Sequence, residues 1–195
     1  MTAVIRLWRI ASYLTNKFCL YDIPIQWSNY SKVGVQILVH SLVHSHIDYC
    51  NSLLAGMPHN LLHHIQKIQN FAARVVTNSH KFCHIMPILR SLHWLPVEMR
   101  IRYKIIVTVY KSIHNMAPYY LQHLTLPAKS SYNLRNKSAI WLDVPKVSCV
   151  SLGGRAFARL GPQWWNNLPI ELRKLGSFPL FLKALKTHLF LTYFS

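Results

Sequence analysis

Twelve histidines, four cysteines and five carboxylates are the groups of this 195-residue chain that can ligate a metal, attack a carbonyl or move a proton. His40 and His44 stand one helical turn apart, the spacing at which two imidazoles reach one ion. No acid or thiol falls on that face, and zinc takes three or four ligands, so these two and His46 read as helix-face histidines. His80, Cys83 and His84 offer three borderline ligands. Structural zinc draws on two separated ligand pairs, and the next candidate, His93, has to fold back; the segment reads as a loop and a helix start. A nucleophile built from Cys83 and a remote histidine lacks a supporting local pattern. The carboxylates Asp22, Asp48, Glu98, Asp143 and Glu171 are isolated in sequence, with no adjacent aspartates to hold a metal pair. A phosphate loop and a GxSxG elbow are both missing. No catalytic residue, no metal ligand and no cofactor is assigned.

Charge is the stronger signal. Lys and Arg number 22 against five acids, a formal charge of +17. Such an excess points to a polyanion, because clustered cations on nucleic acid release condensed counterions. An anionic membrane surface fits the charge alone. The run MTAVIRLWRIASYL, however, is broken by Arg6 and Arg9 before it is long enough for a signal peptide or a span. The four cysteines, Cys19, Cys50, Cys83 and Cys149, form no CxxC pair and read as reduced thiols, Cys50 within a core. These features place the chain inside the cell, in nucleus or cytoplasm, and off the membrane.

The positioning elements follow from periodicity. Val4, Leu7, Trp8, Ala11 and Leu14 have helical spacing. Ser31 is an N-cap for a long amphipathic helix that stops at Gly56-Met57-Pro58. Asn60 caps a second, with Leu61, Ile65, Ile68, Ala72 and Val75 inward and Lys67 and Arg74 elsewhere, one heptad apart. In HIMPILRSLHWLPVEMRIRYK, residues 84–104, Pro87 and Pro96 each mark a helix start. Beyond Pro96, Val97, Ile101, Ile105, Val109 and Ile113 draw an apolar stripe, while Arg100, Lys104 and Lys111 fall within roughly 40° of each other on another face. Pro118 opens a short helix. From Lys129 to Ser151 the texture turns to Ser, Asn and Lys, and Ile140, Leu142 and Val144 alternate as a strand does, with Val147 and Val150 as hairpin partners. Trp164 and Trp165 belong to a small aromatic core with Phe157, Leu160, Leu168 and Ile170. Ser177 caps a last helix with Phe178, Phe181, Leu182, Leu185 and Leu189 inward.

Taken together, IDYCNSLLAGMP (47–58), IQKIQNFAARVV (65–76) and HIMPILRSLHWLPV (84–97) resemble the reverse transcriptase polyprotein of non-LTR, LINE-type retrotransposons of the jockey and chicken-repeat kind, downstream of the polymerase palm. Pro118-Tyr119-Tyr120-Leu121, Leu134-Arg135, Val144-Pro145, Arg155-Ala156-Phe157, Trp165-Asn166-Asn167-Leu168-Pro169 and LKTHLF (185–190) continue the resemblance in order. It starts near Val33, and residues 1–30 match poorly. The chain departs from the family at His46-Ile47, where an Arg-Leu pair is usual, and at Cys83, where an acid is usual.

The resemblance implies a mainly α protein: a helical, thumb-like bundle over 31–127, then a C-terminal extension over 128–195 with a small β element and terminal helices. It implies a fragment of an RNA-directed DNA polymerase without its catalytic aspartates or their Mg2+. Such a fragment is no enzyme by itself and at most binds RNA or a template–primer. The residues expected to grip nucleic acid are Lys67, Arg74, Arg100, Lys104, Lys111 and Arg155. Trp94 becomes the wedge between two thumb helices. The other reading is a helical interaction protein, or a non-functional relic, that self-associates through the surface left by the missing palm.

Overall fold

The Ser31 hydroxyl accepts a hydrogen bond from the Gly34 N–H at 3.1 Å, and from this cap the first helix, α1, runs over Lys32–Val39. The computed structural model describes residues 31–128, 140–146 and 153–195. The helical spacing from Val4 to Leu14, Leu134-Arg135 and the hairpin partners Val147 and Val150 lie outside the described residues. The described chain is mainly helical, as expected. It divides into two compact units, one of Met1–Arg100 with Phe194 and one of Ile101–Tyr193 with Ser195. The change of texture at Lys129 lies outside the described residues.

In the first unit α1 passes into a π-helical turn, His40–His44, and then into α2, Ser45–Asp48. Val35, Val39, Val43 and Ile47 are all buried. An apolar residue at every fourth position drifts by about 40° per step around a regular α-helix, and the wider π turn takes up that drift, keeping the stripe on one side. The long helix expected to reach Gly56 instead ends at Tyr49, because Cys50 adopts a left-handed conformation with φ 51°. A 3-10 turn follows at Asn51–Leu54. Cys50 is exposed, not in a core as its sequence context suggested.

Helix α3 spans His59–Thr77; its N-cap position is held by Pro58, two residues ahead of the expected cap, and the Asn60 carboxamide accepts from the next N–H. Its buried face is Gln69, Ala72, Ala73 and Val76, rotated from the expected one so that only Ala72 is common to both. Helix α4, Ile85–Ser91, has Pro87 in its first turn, and α5, Val97–Ile113, follows directly on Pro96. Trp94 lies between them, 4 % exposed. Helices α1 and α4 both pack on α3.

Two glutamines of α3 fix the start of α5. Gln69, fully buried, donates to the Leu95 carbonyl at 2.9 Å. The Gln66 carboxamide oxygen accepts from the Val97 N–H at 2.9 Å, and its amide donates to Gln69 and Asn70 at 3.0 and 2.7 Å. A helix start leaves its first N–H groups without partners, and here one of them is met from α3.

Three helix ends share one device. Asn78, His93 and Asn115 take positive φ just past α3, α4 and α5. The N–H groups of Ser79, Trp94 and Met116 then donate to the carbonyls of Arg74, Leu89 and Lys111, five residues back, at 3.0, 3.0 and 2.8 Å. This is the Schellman arrangement, with asparagine twice in glycine's usual place.

The second unit is built on the rest of α5. Its helices are α6 (Tyr119–Gln122), α7 (Phe157–Asn166), α8 (Ile170–Arg173) and α9 (Phe178–Phe194), with a 3-10 turn at Gly153–Arg155. Its core is aromatic. Tyr110, Trp165 and Phe181 are fully buried, and Tyr110 stacks on Phe181 at 4.1 Å while its hydroxyl donates to the Leu175 carbonyl at 3.0 Å. The expected inward residues of α9 include the three that are most buried, Phe181, Leu185 and Leu189. The expected small β element is reduced, among the described residues, to one antiparallel bridge between Pro127 and Leu142. No described helix is long and apolar enough to cross a membrane.

Candidate nucleic-acid interface

The six cations expected to hold nucleic acid separate into two kinds. Lys67 on α3 and Lys104 on α5 face water. Arg74 is half-buried, and its Nη2 donates to the Cys83 carbonyl at 3.1 Å, closing the loop between α3 and α4. Lys111 is half-buried with its ammonium 5.3 Å from the centre of the Phe178 ring. Arg155 is half-buried in the 3-10 turn that precedes α7. Arg100 is engaged most fully: its guanidinium forms a two-pronged ion pair with Asp48, Nε to Oδ1 at 2.9 Å and Nη2 to Oδ2 at 2.5 Å.

The division holds beyond these six. Among the described residues every lysine except Lys111 is exposed, and every arginine except Arg90 is half-buried or buried. Chemistry accounts for it. A guanidinium is weakly hydrated, planar and able to stack, so it tolerates burial against carbonyls and rings; an ammonium is a compact, strongly hydrated charge that stays in water. Arg102 lies 5.6 Å from the Trp164 ring and Arg173 4.3 Å from that of Trp141. Among the described residues the outward charge is therefore carried mostly by lysine, the side chain that meets phosphate as a point charge, not by the fork that reads base edges in pairs.

Asp48, read from sequence as a lone acid, anchors the densest polar cluster of the first unit. His44 is 3 % exposed, packs edge-on against Trp94 with ring centres 4.2 Å apart, and meets His40 Nδ1 to Nδ1 at 2.9 Å. A hydrogen bond between two ring nitrogens needs at least one neutral imidazole. Burial, and after it the charges of Arg100 and His40, push the His44 pKa from 6.5 down to about 3, against a smaller upward pull from Asp48. His44 is thus neutral at physiological pH. No signal in the sequence distinguished it from exposed His40, because the π turn that rotates it inward leaves no mark on residue spacing.

Among the described residues no three His, Cys, Asp or Glu side chains come together. Asp48 is committed to Arg100, and Glu98, Asp143 and Glu171 are exposed on separate segments. Cys83 and its neighbours His80 and His84 are all exposed in the loop before α4.

No protein-family model matches the chain, and no curated protein or solved structure matches it either.

Proposed function

We propose that this chain is a palm-less fragment of a retrotransposon-type reverse transcriptase that grips RNA or template–primer through phosphates, without sequence preference and without catalysis of its own. The supporting observation is the 22 cations against five acids together with the exposure of all the described lysines but Lys111. Phosphate contacts position a nucleic acid and carry no sequence information, and lysines suffice for them. An intracellular location, nuclear or cytoplasmic, goes with this reading.

The test is the affinity of the full chain for RNA and for a primer–template as a function of salt. A log–log slope of several units is expected, and Lys67→Glu or Lys104→Glu should each lower it by about one. A flat salt response, or a Lys104→Glu variant indistinguishable from the parent, would rule the reading out.

A second reading is favoured by one surface. Val33 and Ile37 of α1 are 65 % and 62 % exposed and line, with Gln36, His40 and Ser41, an open groove of about 500 Å3. Apolar faces of this kind serve association between chains. Oligomerisation at micromolar concentration without any affinity for nucleic acid would decide for an interaction protein.

A further inference from the structure

Four of the six tryptophans fall among the described residues, and they differ in exposure. Trp94 and Trp165 are buried, Trp164 is half-buried, and Trp141 is 48 % exposed. The tandem pair that sequence marks as the aromatic feature is thus turned inward, and the solitary Trp141 faces solvent.

The backbone beneath Trp141 is fixed from several directions. The Trp165 indole N–H donates to the Ile140 carbonyl at 2.9 Å. Asn166 accepts from the Leu142 N–H at 3.0 Å and donates to the Leu142 carbonyl at 2.8 Å. The Ala128 N–H donates to the Trp141 carbonyl, and the Asp143 N–H to the Leu126 carbonyl, each at 2.9 Å. The indole itself lies against a cation. The Arg173 guanidinium is 4.3 Å from the ring centre, is 4 % exposed as a residue, and is held by an Nε–H donated to the Leu168 carbonyl at 3.1 Å.

A ring held this way has lost its conformational freedom on folding, so a ligand that covers it has little ordering left to impose. Its buried cation, drawn to the π cloud, resists any tilt of the ring. Exposed Lys174 follows Arg173 in the chain, and exposed Lys146 lies five residues past Trp141. An exposed aromatic face with exposed lysines close to it and to its Arg173 brace in sequence suits a planar base whose strand carries phosphates.

Resting on the nucleic-acid reading above, we propose that Trp141 is a stacking platform for an unpaired nucleobase, with Arg173 bracing the indole and Lys146 and Lys174 attracting the neighbouring phosphates. Stacking needs a base released from pairing, which assigns this site to single strands.

The experiment compares, on the full chain at low salt, a single-stranded RNA of about eight nucleotides with an abasic phosphodiester strand of the same length. Trp141→Leu keeps an apolar cover over Arg173 and removes the π face; Trp141→Phe keeps both. The leucine variant should bind RNA about tenfold more weakly and the abasic strand unchanged, while phenylalanine restores most of the loss. In parallel, the unsubstituted chain is irradiated with RNA containing 5-iodouridine, and the crosslink should map to Trp141 whether or not a variant folds. A leucine variant that keeps full RNA affinity, or loses both strands equally, overturns the platform, as do crosslinks that miss Trp141. Abasic strand bound as tightly as RNA by the parent chain overturns the platform alone. Failure of the parent to bind either strand overturns the nucleic-acid reading with it.

Discussion

Arg100 clasps Asp48, 52 residues earlier in the chain, through both oxygens of the carboxylate. The contact ties the end of α2 to the first turn of α5, and both side chains are mostly shielded, 18 % and 26 % exposed. Charge-assisted hydrogen bonds in this setting are worth more than surface ion pairs. Asp48→Asn should lower stability by about 1–3 kcal/mol, read as a shift of the urea midpoint at constant slope. Arg100→Met should cost a similar amount and leave RNA affinity, corrected for folding, near the parent value; a large loss of affinity in a folded Arg100→Met chain would instead return Arg100 to the binding face.

His44 makes the first unit sensitive to mild acid. Its folded pKa of about 3 lies below the ordinary 6.5, so the unfolded chain binds the proton more tightly. The stability that neutral His44 provides is whole above pH 6.5 and falls as pH drops toward 3. Between pH 7 and 5, before the carboxylates titrate, the urea midpoint should decrease, and His44→Phe should flatten that decrease whatever it does to stability at pH 8. Removing the Arg100 charge should move the His44 pKa upward, a shift visible in its ring-proton resonances during titration.

Gln69 has no access to water and its amide is the donor that meets the Leu95 carbonyl. Gln69→Leu strands that carbonyl and removes one of the two acceptors of the Gln66 amide, which keeps Asn70. A cost of about 1–3 kcal/mol is expected, with Gln69→Glu no better at neutral pH because a buried carboxylate would face a carbonyl. Thermal unfolding checks the order of the variants.

Gly161 of α7 sits close against Val109 of α5. A Cβ placed there would lie 2.9 Å from a methyl of Val109 and 3.4 Å from the Phe157 ring. Alanine normally stabilises a helix by about 1 kcal/mol over glycine. Here Val109 is β-branched and fully buried, with no rotamer to retreat into, and overpacking of about 1–3 kcal/mol should prevail. A Gly161→Ala chain that melts higher than the parent would show that the two helices separate more readily than their packing suggests.

Much of this architecture was legible in the sequence, and the failures have physical causes. Val97, Ile101, Ile105 and Val109 are buried as their period requires, with Ile113 at the end of the stripe half-buried, and Trp94 is buried with its ring against His40 and His44. Ser31 caps as its type suggests. The buried face of α3 was misplaced because Gln69 reads as polar and only its partner on a distant segment makes it a core residue. The cationic face on α5 was drawn from angle alone, and angle could not reveal that Arg100 meets a carboxylate while Lys104 faces water. Asp48, Cys50 and His44 were misread for one reason: the π turn and the left-handed residue at Cys50 redirect the chain without altering hydrophobic spacing. Helix ends at Asn78 and Asn115 carried a readable signal, asparagine where glycine is customary, and the periodicity argument passed over it.

The sorting of arginines inward and lysines outward makes the fold and the proposed grip separable by reagent. Acetylation of amines would strip most of the outward charge from the described surface and leave the guanidinium contacts to carbonyls, rings and Asp48 in place. Among the described residues, a dicarbonyl specific for arginine would find few open targets until the chain unfolded. One chemistry would then report on what the surface attracts, and the other on whether the interior is closed.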